Sequence, residues 1–138
     1  MEGIQIQVER VEAKPEISVI MINGYIDTTT SSELERVIQN LLREQRYKLI
    51  VDLSGVDYIS SAGWGIFISE IKNLRNHRGD LKLANMSANV SEVYELLEFA
   101  TILTSAASLN EAVAMFDGGG VEGSGLAVKK AVPIKPAS

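Results

Sequence analysis

The stretch LIVDLSGVDYISSAGWG, residues 49–65, decides how the chain is expected to fold. Its first five residues, 49–53, are almost continuously apolar, as in a strand that other parts of the protein cover on both faces. Residues 54–57 contain Ser, Gly and Asp and are predicted to form a turn. Ser60 and Ser61 then precede an apolar pattern with helical spacing, and serine is a preferred helix N-cap. The stretch therefore predicts a buried strand that leads through a short loop into a helix.

Strands and helices alternate on both sides of this stretch. Toward the N-terminus, residues 4–11 alternate apolar and polar side chains and residues 17–22 are apolar and β-branched, so they predict a hairpin whose second strand ends at residues 23–24. Toward the C-terminus, residues 81–85 predict a strand and residues 99–103 a short edge strand. Helices are predicted in between and at the end, and the residues expected at their starts are 27–33, Ser60 or Ser61, Asn89 or Ser91, and Ser108 or Asn110.

This order of strands and helices indicates an α/β fold. Right-handed crossovers join such strands into a parallel sheet, and the opening hairpin adds an antiparallel edge. We expect one domain over residues 1–117, with a mixed, mostly parallel sheet of about four or five strands and about four helices packed against it. Residues 118–138 begin with a glycine-rich segment and lack periodicity, so they predict a flexible linker and a disordered C-terminal tail.

Composition and charge exclude several classes of function. The chain of 138 residues has no Cys and a single His, His77, which excludes a disulfide scaffold, a thiolate zinc site and a Cys nucleophile. The net charge is −5, which argues against direct binding of nucleic acid. No segment reaches the roughly 18–20 apolar residues of a membrane span, and the N-terminus does not resemble a signal peptide. We therefore expect a cytoplasmic protein that does not insert into a membrane.

Side chains that could support catalysis are scarce. The chain has neither a GxGxxG nor a GxxxxGK[ST] phosphate loop, and the glycines at 118–120 follow a helix rather than a strand, as a linker does. His77 lies at the predicted end of the second helix, just before Gly79, where a basic side chain interacts favourably with the helix dipole and a glycine stops the helix. We predict that the protein is not an enzyme and has neither a metal site nor a cofactor.

The two serines at the start of the second helix are the best-placed candidates for a functional site. Loops after the carboxyl ends of parallel strands carry the sites of open α/β sheets, and a phosphate group on a serine there would meet the positive end of the helix dipole. The alternative is that Ser60 or Ser61 is only an N-cap. Gly63 and Gly65 indicate that either the neighbouring sheet or a partner surface approaches this turn closely, and Trp64 belongs either to the core or to an interface.

These residues resemble the signature of the STAS domain family, and most closely its stand-alone anti-sigma factor antagonists. The family pattern D-S-[ST]-G-L-G aligns with residues 60–65, and the pattern G-x-[LI]-D at the entry to the first helix aligns with residues 24–27. Residues 85–90 and 96–103 resemble the later strand, loop and third helix of the family. The resemblance covers roughly residues 4–116 and implies a STAS-like fold.

The resemblance also implies a mechanism, partner switching. The unphosphorylated antagonist of this family binds an anti-sigma factor, which is also a serine-protein kinase of the ATPase-lid fold, and thereby frees the sigma factor. Phosphorylation breaks this complex, and a PP2C-type phosphatase restores it. The implied phosphoacceptor is Ser61, with Ser60 as the alternative. The partner-binding residues implied are Asp27, Ser60, Ala62, Gly63 and Trp64.

The chain departs from the family pattern on both sides of Ser61. Ser60 stands where the family has an acid, and Ala62 replaces the hydroxyl residue that follows the acceptor. Three alternatives follow: the kinase is divergent, Ser60 is the acceptor, or phosphorylation is lost. In the last case the protein would be a STAS adaptor subunit of a signalling or transport complex and would work without phosphorylation.

Overall fold

The computed structural model describes residues 3–117, an α/β domain as the sequence predicted. The strands are β1 (Ile4–Arg10), β2 (Ile17–Ile26), β3 (Lys48–Ile59), β4 (Asp80–Ala84) and β5 (Thr104–Ala106). The helices are α1 (Ser31–Arg43), α2 (Ser61–Asn76), α3 (Ala88–Leu96) and α4 (Leu109–Met115), with a 3-10 turn at Phe99–Thr101. The predicted linker and tail, residues 118–138, lie outside the described residues.

The strands form one sheet in which their spatial order is their order in the chain. β1 is antiparallel to β2, and all other neighbours are parallel. Each parallel strand is therefore reached by a crossover that moves one position in the same direction. Right-handed crossovers of this kind place their helices, α1, α2 and α3, on one face of the sheet, whereas α4 packs on the other.

Two apolar clusters cover the two faces of the sheet. The larger lies between the sheet and α1–α3 and includes Phe67 of α2. The smaller lies under α4 and includes Val113. β3 contributes to both, Val51 to the larger cluster and Ile50 to the smaller. Burial on both faces explains why the sequence of this central strand is almost continuously apolar.

β2 and β3 are longer than the sequence predicted. The expected strand end at residues 23–24 and the expected turn at residues 54–57 are both wrong, because β2 continues to Ile26 and β3 to Ile59. The register between the two strands shifts twice along this extension. Such irregularities bend a strand and increase its twist, and beyond them both strands continue to the edge at which α1 and α2 begin.

Two predictions in the region of α3 are also wrong. Ser87, rather than Asn89 or Ser91, caps the helix, because its hydroxyl oxygen accepts a hydrogen bond from the Val90 N–H at 3.2 Å. Residues 99–103 do not form the edge strand. They contain the 3-10 turn, from which apolar side chains reach the larger cluster, and the edge strand β5 follows them.

The serine that caps α4 was one of the two predicted, whereas the glycine expected to end α2 has a different role. Ser108 caps α4, as one of the two predicted alternatives, and accepts from the Glu111 N–H at 3.1 Å. At the end of α2 the left-handed residue is Arg78, with φ of 65°, rather than the expected glycine. A Cβ on Gly79 would lie 1.9 Å from the carbonyl oxygen of Tyr47. A close approach of the chain, not a positive φ, therefore requires the glycine.

Candidate functional site

The carboxyl ends of β2 and β3 bring together the two segments that the sequence singled out. Ile26 pairs with Ile59 at the end of the parallel ladder, and the Ser60 N–H donates to the Ile26 carbonyl oxygen at 2.7 Å. Asp27 and Ser60 therefore leave adjacent strands at the same edge of the sheet, which is where open α/β sheets place their sites.

The two serines at the start of α2 have different environments. Ser60 is the N-cap: its backbone is extended, and its hydroxyl oxygen accepts from the Gly63 N–H at 3.3 Å. Ser61 is the first helical residue and is exposed. The N-cap interpretation therefore applies to Ser60, and the Ser61 hydroxyl remains accessible to solvent.

The first turn of α2 contains no acidic side chain. The positive end of the helix dipole at this point is therefore not balanced by a charge on the helix itself. A negative group placed on Ser61 would gain about 0.3–1 kcal/mol from that dipole at an exposed position. The local chemistry suits the acceptance of a phosphate group without loss of the helix.

The three small residues near the serines differ in burial. Gly63 is buried, and a Cβ there would lie 2.6 Å from Ile26 Cγ2 and 2.8 Å from Ile59 Cγ2. The neighbouring sheet is therefore what approaches this glycine. Ala62 is half-buried. Gly65 is exposed, and a Cβ on it would meet nothing within 4 Å, so the second glycine faces an open surface.

Trp64 belongs to the core. Its side chain is 4% exposed and lies in the larger cluster, with its ring centroid 4.8 Å from that of Phe99 and 6.3 Å from that of Phe67. Of the two alternatives for this residue, the core is the one observed. Since the ring is covered, any part of Trp64 in partner binding has to be indirect, through the position of α2.

Asp27 organises the start of α1. Its Oδ1 accepts from the N–H groups of Thr29 at 2.9 Å and Thr30 at 3.0 Å, and from the Thr29 hydroxyl at 2.7 Å. The bond from the Thr29 hydroxyl is the main reason that the pKa of Asp27 lies below its ordinary value of 3.8, because these donors stabilise the carboxylate. Asp27 thus fixes the loop that lies beside Ser60.

Two exposed tyrosines at this edge were not among the predicted site residues. Tyr25 is 59% exposed and Tyr58 is 53% exposed, and each precedes one of the paired isoleucines, Ile26 and Ile59. The sequence did contain a signal, because both segments read Tyr-Ile followed by a polar residue. Exposed tyrosine side chains beside a polar loop are typical of protein interfaces.

α3 is held against the same edge by a polar contact. Asn89 Nδ2 lies 3.3 Å from Asp57 Oδ1 and 3.1 Å from Asp57 Oδ2 and donates to this carboxylate. Asp52 is engaged elsewhere, because its Oδ1 accepts from the Ser54 N–H and from Asn85 Nδ2. Each of these carboxylates therefore binds a neighbouring segment of the chain.

The single histidine takes part in the end of α2. His77 Nδ1 lies 3.0 Å from the Asn73 carbonyl oxygen, and its ring stacks on Tyr47 at 4.2 Å.

Within residues 3–117, no three His, Asp or Glu side chains are grouped closely enough to hold a metal ion. The helices of the same residues are all too short or too polar to span a membrane.

Comparison with known proteins connects this domain to a family. The family model of the STAS domain matches residues 10–112. BtrV of Bordetella bronchiseptica, which carries the provisional name of an anti-sigma factor antagonist, is 30% identical over 98 residues, which cover 71% of this chain and 84% of BtrV.

Solved structures share the fold at lower sequence identity. An anti-sigma factor antagonist from Mycobacterium paratuberculosis matches with a TM-score of 0.74 and 22% identity, over 83% of this chain and 95% of its own. The anti-sigma factor antagonist SpoIIAA of Bacillus matches in its unphosphorylated form with a TM-score of 0.68 and 21% identity, over 83% and 97% of the two chains. Its phosphorylated form matches with a TM-score of 0.61 and 20% identity, over 80% and 98%.

Proposed function

The chain belongs to the STAS domain family, and we propose that it is an anti-sigma factor antagonist controlled by phosphorylation of Ser61. The name of its relative BtrV supports the antagonist role. The observation that carries the choice of acceptor is the exposed Ser61 at the first position of α2, beside a Ser60 that is occupied as the cap. The protein would act in the cytoplasm, where bacterial transcription takes place, and would itself catalyse nothing.

In the proposed cycle the unphosphorylated protein binds an anti-sigma factor that is also a serine-protein kinase of the ATPase-lid fold. Binding frees the sigma factor. The kinase then transfers a phosphoryl group to Ser61 and the complex dissociates, after which a PP2C-type phosphatase removes the group. The existence of this fold in a phosphorylated form, in SpoIIAA, supports the idea that a STAS domain tolerates the modification.

We propose that the partner docks on a switch surface formed by Tyr25, Asp27, Tyr58, Ser61 and Gly65. The two half-exposed tyrosines supply apolar contact area at a low entropic cost. Gly65 leaves space for a partner to approach α2 closely. Residues 1–117 contain 17 acidic and 10 basic side chains, a net charge of −7, so a basic partner surface would be attracted from a distance.

Release would follow from charge and bulk at one position. A phosphate group adds a charge of about −1.5 to −2, and at Ser61 it would lie at a helix start that stabilises anions. The fold would therefore persist, while a partner packed against Ser61 would meet a bulky, charged group and lose contact. NMR shifts on phosphorylation are expected near the switch surface only, and shifts throughout the sheet would contradict this local mechanism.

A second function, a STAS adaptor without phosphorylation, is favoured by one observation. Ser60 replaces the acid that precedes the acceptor in the family, so a kinase that reads this acid would find a neutral N-cap instead. This adaptor would use the same switch surface but would not be released by modification.

The two functions are separated by phosphorylation with the candidate anti-sigma kinase of the same genome, followed by mass-spectrometric mapping of the site. We expect one phosphate on Ser61, its loss in Ser61→Ala and its retention in the matched control Ser60→Ala. In Ser60→Asp, which keeps the cap and restores the acid, a faster reaction would show that the kinase reads this position. Phosphate on Ser60 alone would reassign the acceptor. No phosphate with any candidate kinase, from a chain that still binds its partner, would favour the adaptor.

A further inference from the structure

The connections that follow β4 and β5 leave the sheet toward opposite faces. The chain passes from β4 to α3, which packs in the larger cluster, and from β5 to α4, which packs in the smaller. Neighbouring parallel strands whose connections diverge in this way form a crevice, and open α/β sheets bind small ligands there. β2 and β3, by contrast, both continue into helices on the same face. A ligand crevice is therefore expected at the ends of β4 and β5.

A crevice of about 470 Å³ lies at this place. Its described lining includes Asn85 and Met86 after β4, Ser91 of α3, Ala107 after β5, and Glu111 and Met115 of α4. The volume falls within the range of roughly 300–1,000 Å³ that is typical of small-molecule sites. We propose that the crevice binds a small organic cation with an apolar body. The crevice shares no residue with the switch surface, so this ligand site is independent of the proposed phosphorylation.

The strand end that leads into the crevice is held by hydrogen bonds within the domain. The Asn85 N–H donates to the Ala106 carbonyl oxygen at 3.4 Å, and Asn85 Nδ2 donates to Asp52 Oδ1 at 3.2 Å. Asn85 has a positive φ of 59°, a conformation that Asn adopts more readily than most residues. These contacts are present before a ligand arrives, so binding would not have to include the entropic cost of ordering this turn.

The charge of the lining favours a cation. Among the described lining residues, Glu111 is the one with a charged side chain. Its Oε1 accepts from the Ala107 N–H at 3.1 Å, which orients the carboxylate, and its Oε2 has no hydrogen-bond partner within residues 3–117. An ammonium group would form a charge-assisted hydrogen bond with this oxygen. An anion would instead lie beside a like charge, with no cationic side chain of the described lining to offset it.

The remaining lining offers both polar and apolar contacts. Ser91 and Ser105 line the crevice, and their hydroxyl groups make no hydrogen bond with other described residues, so they can accept from an ammonium group. Met86 lies on the side of α3 and Met115 on α4, and both are half-buried. Flexible thioether side chains adapt to apolar groups and make favourable contacts with aromatic rings. The crevice therefore fits an amine that carries an aromatic body.

Three probes with the same body and different charges test the ligand class. Near neutral pH, 2-phenylethylamine is a cation, 2-phenylethanol is neutral and 3-phenylpropionate is an anion. In amide NMR titrations of the full chain, the amine should shift the signals of Met86, Ala107 and Glu111 with a dissociation constant of about 1–10 mM. The alcohol should bind at least about threefold more weakly, and the propionate should not saturate. Equal binding of all three probes, or no saturable shift at these residues, would overturn the proposal.

A charge variant tests the role of Glu111. Glu111→Gln removes the charge but keeps an acceptor for the Ala107 N–H, and it should weaken binding of 2-phenylethylamine about threefold or more. Glu92→Gln is the matched control, because Glu92 is an exposed acid of α3 that does not line the crevice. It should leave the dissociation constant unchanged. Equal losses in the two variants would mean that the amine responds to the overall acidity of the domain, and the assignment to the crevice would be wrong.

A size variant tests the place of binding. Ala107→Phe should fill the crevice and abolish saturable binding of 2-phenylethylamine, whereas Ala100→Phe, at an exposed alanine of the 3-10 turn, should leave it unchanged. Both variants should keep the wild-type NMR signals of β2 and β3, which shows that a loss of binding is not a loss of the fold. Amine binding that survives in folded Ala107→Phe would overturn the proposal.

Discussion

The starts of α1 and α2 lie side by side and are held in different ways. Both follow a strand that ends in Tyr-Ile and a polar residue, and the two isoleucines, Ile26 and Ile59, are paired. At α1 the N-cap makes no side-chain cap bond, while Asp27 accepts two backbone N–H groups in the turn just before the helix and Glu33 lies in the first turn. At α2, one serine hydroxyl accepts one N–H group, and the first turn has no acid.

The difference shows that negative charge is built into the start of α1 and left out at the start of α2. A helix start attracts anions. At α1 this attraction is satisfied by carboxylates, and the lowered pKa of Asp27 keeps one of them ionised. At α2 a phosphate on Ser61 would add the first negative charge rather than a third. The helix dipole would therefore favour a phosphate more at the start of α2 than at the start of α1.

The largest effect is expected where the first turn of α2 touches the sheet. In Gly63→Ala the new Cβ would overlap Ile26 and Ile59, and overpacking should outweigh the better helix propensity of Ala, so that the free energy of unfolding falls by about 1–2 kcal/mol. Urea unfolding, followed by the fluorescence of the buried Trp64, measures this change. The matched control Gly65→Ala meets no neighbour and should be stabilised by up to about 1 kcal/mol. Equal effects of the two variants would mean that α2 is not seated on the strand ends.

A smaller effect is expected from the cap of α2. Ser60→Ala leaves the Gly63 N–H without its acceptor and should lower the free energy of unfolding by about 1 kcal/mol. Ser60→Asp should keep most of the stability, since Asp caps a helix as well as Ser does. If Ser60→Ala unfolds at the same urea concentration as the wild type, the 3.3 Å cap bond contributes nothing and the distinction between the two serines disappears.

Adding one acidic residue to each helix start tests whether α1 and α2 respond differently to negative charge. Ser61→Asp adds the first acid to the start of α2 and should raise the free energy of unfolding by about 0.3–1 kcal/mol at low salt. Ser32→Asp adds an acid to the first turn of α1, where Asp27 and Glu33 are already present, and should gain less or nothing. Both gains should shrink in high salt. A larger gain at Ser32 than at Ser61 would reverse the interpretation of the two sites.

Much of this arrangement could be predicted because it depends on local patterns. The apolar run at residues 49–53 indicated a central strand, and the structure buries it on both faces. The cap-rich segments before α1, α2 and α4 marked helix starts that the structure contains. The family resemblance also implied that Asp27 and Ser60 belong to one site, and the structure brings both to one edge of the sheet.

The predictions that failed depend on contacts between distant segments. The composition of residues 54–57, Ser-Gly-Val-Asp, is compatible both with a turn and with an irregular strand. What distinguishes them is β2, because a Cβ on Gly55 would lie 1.9 Å from Asn23 Oδ1. Trp64 could be assigned to the core only once Tyr94 and Phe99, about thirty residues later in the chain, were placed against it. The sequence around each of these residues does not show which distant segment will pack against it.

The smallest effect concerns the charge built into α1. Because its pKa is lowered on folding, the Asp27 carboxylate stabilises the protein fully above its ordinary pKa of 3.8, and this contribution is lost as the pH falls through the lowered value. Thr29→Val removes the hydroxyl that lowers this pKa most. In an NMR titration of the Asp27 side chain, the midpoint should lie below 3.8 in the wild type and move upward in the variant. A wild-type midpoint at or above 3.8 would mean that the loop before α1 does not hold the carboxylate, and the two helix starts would then differ less than their hydrogen bonds indicate.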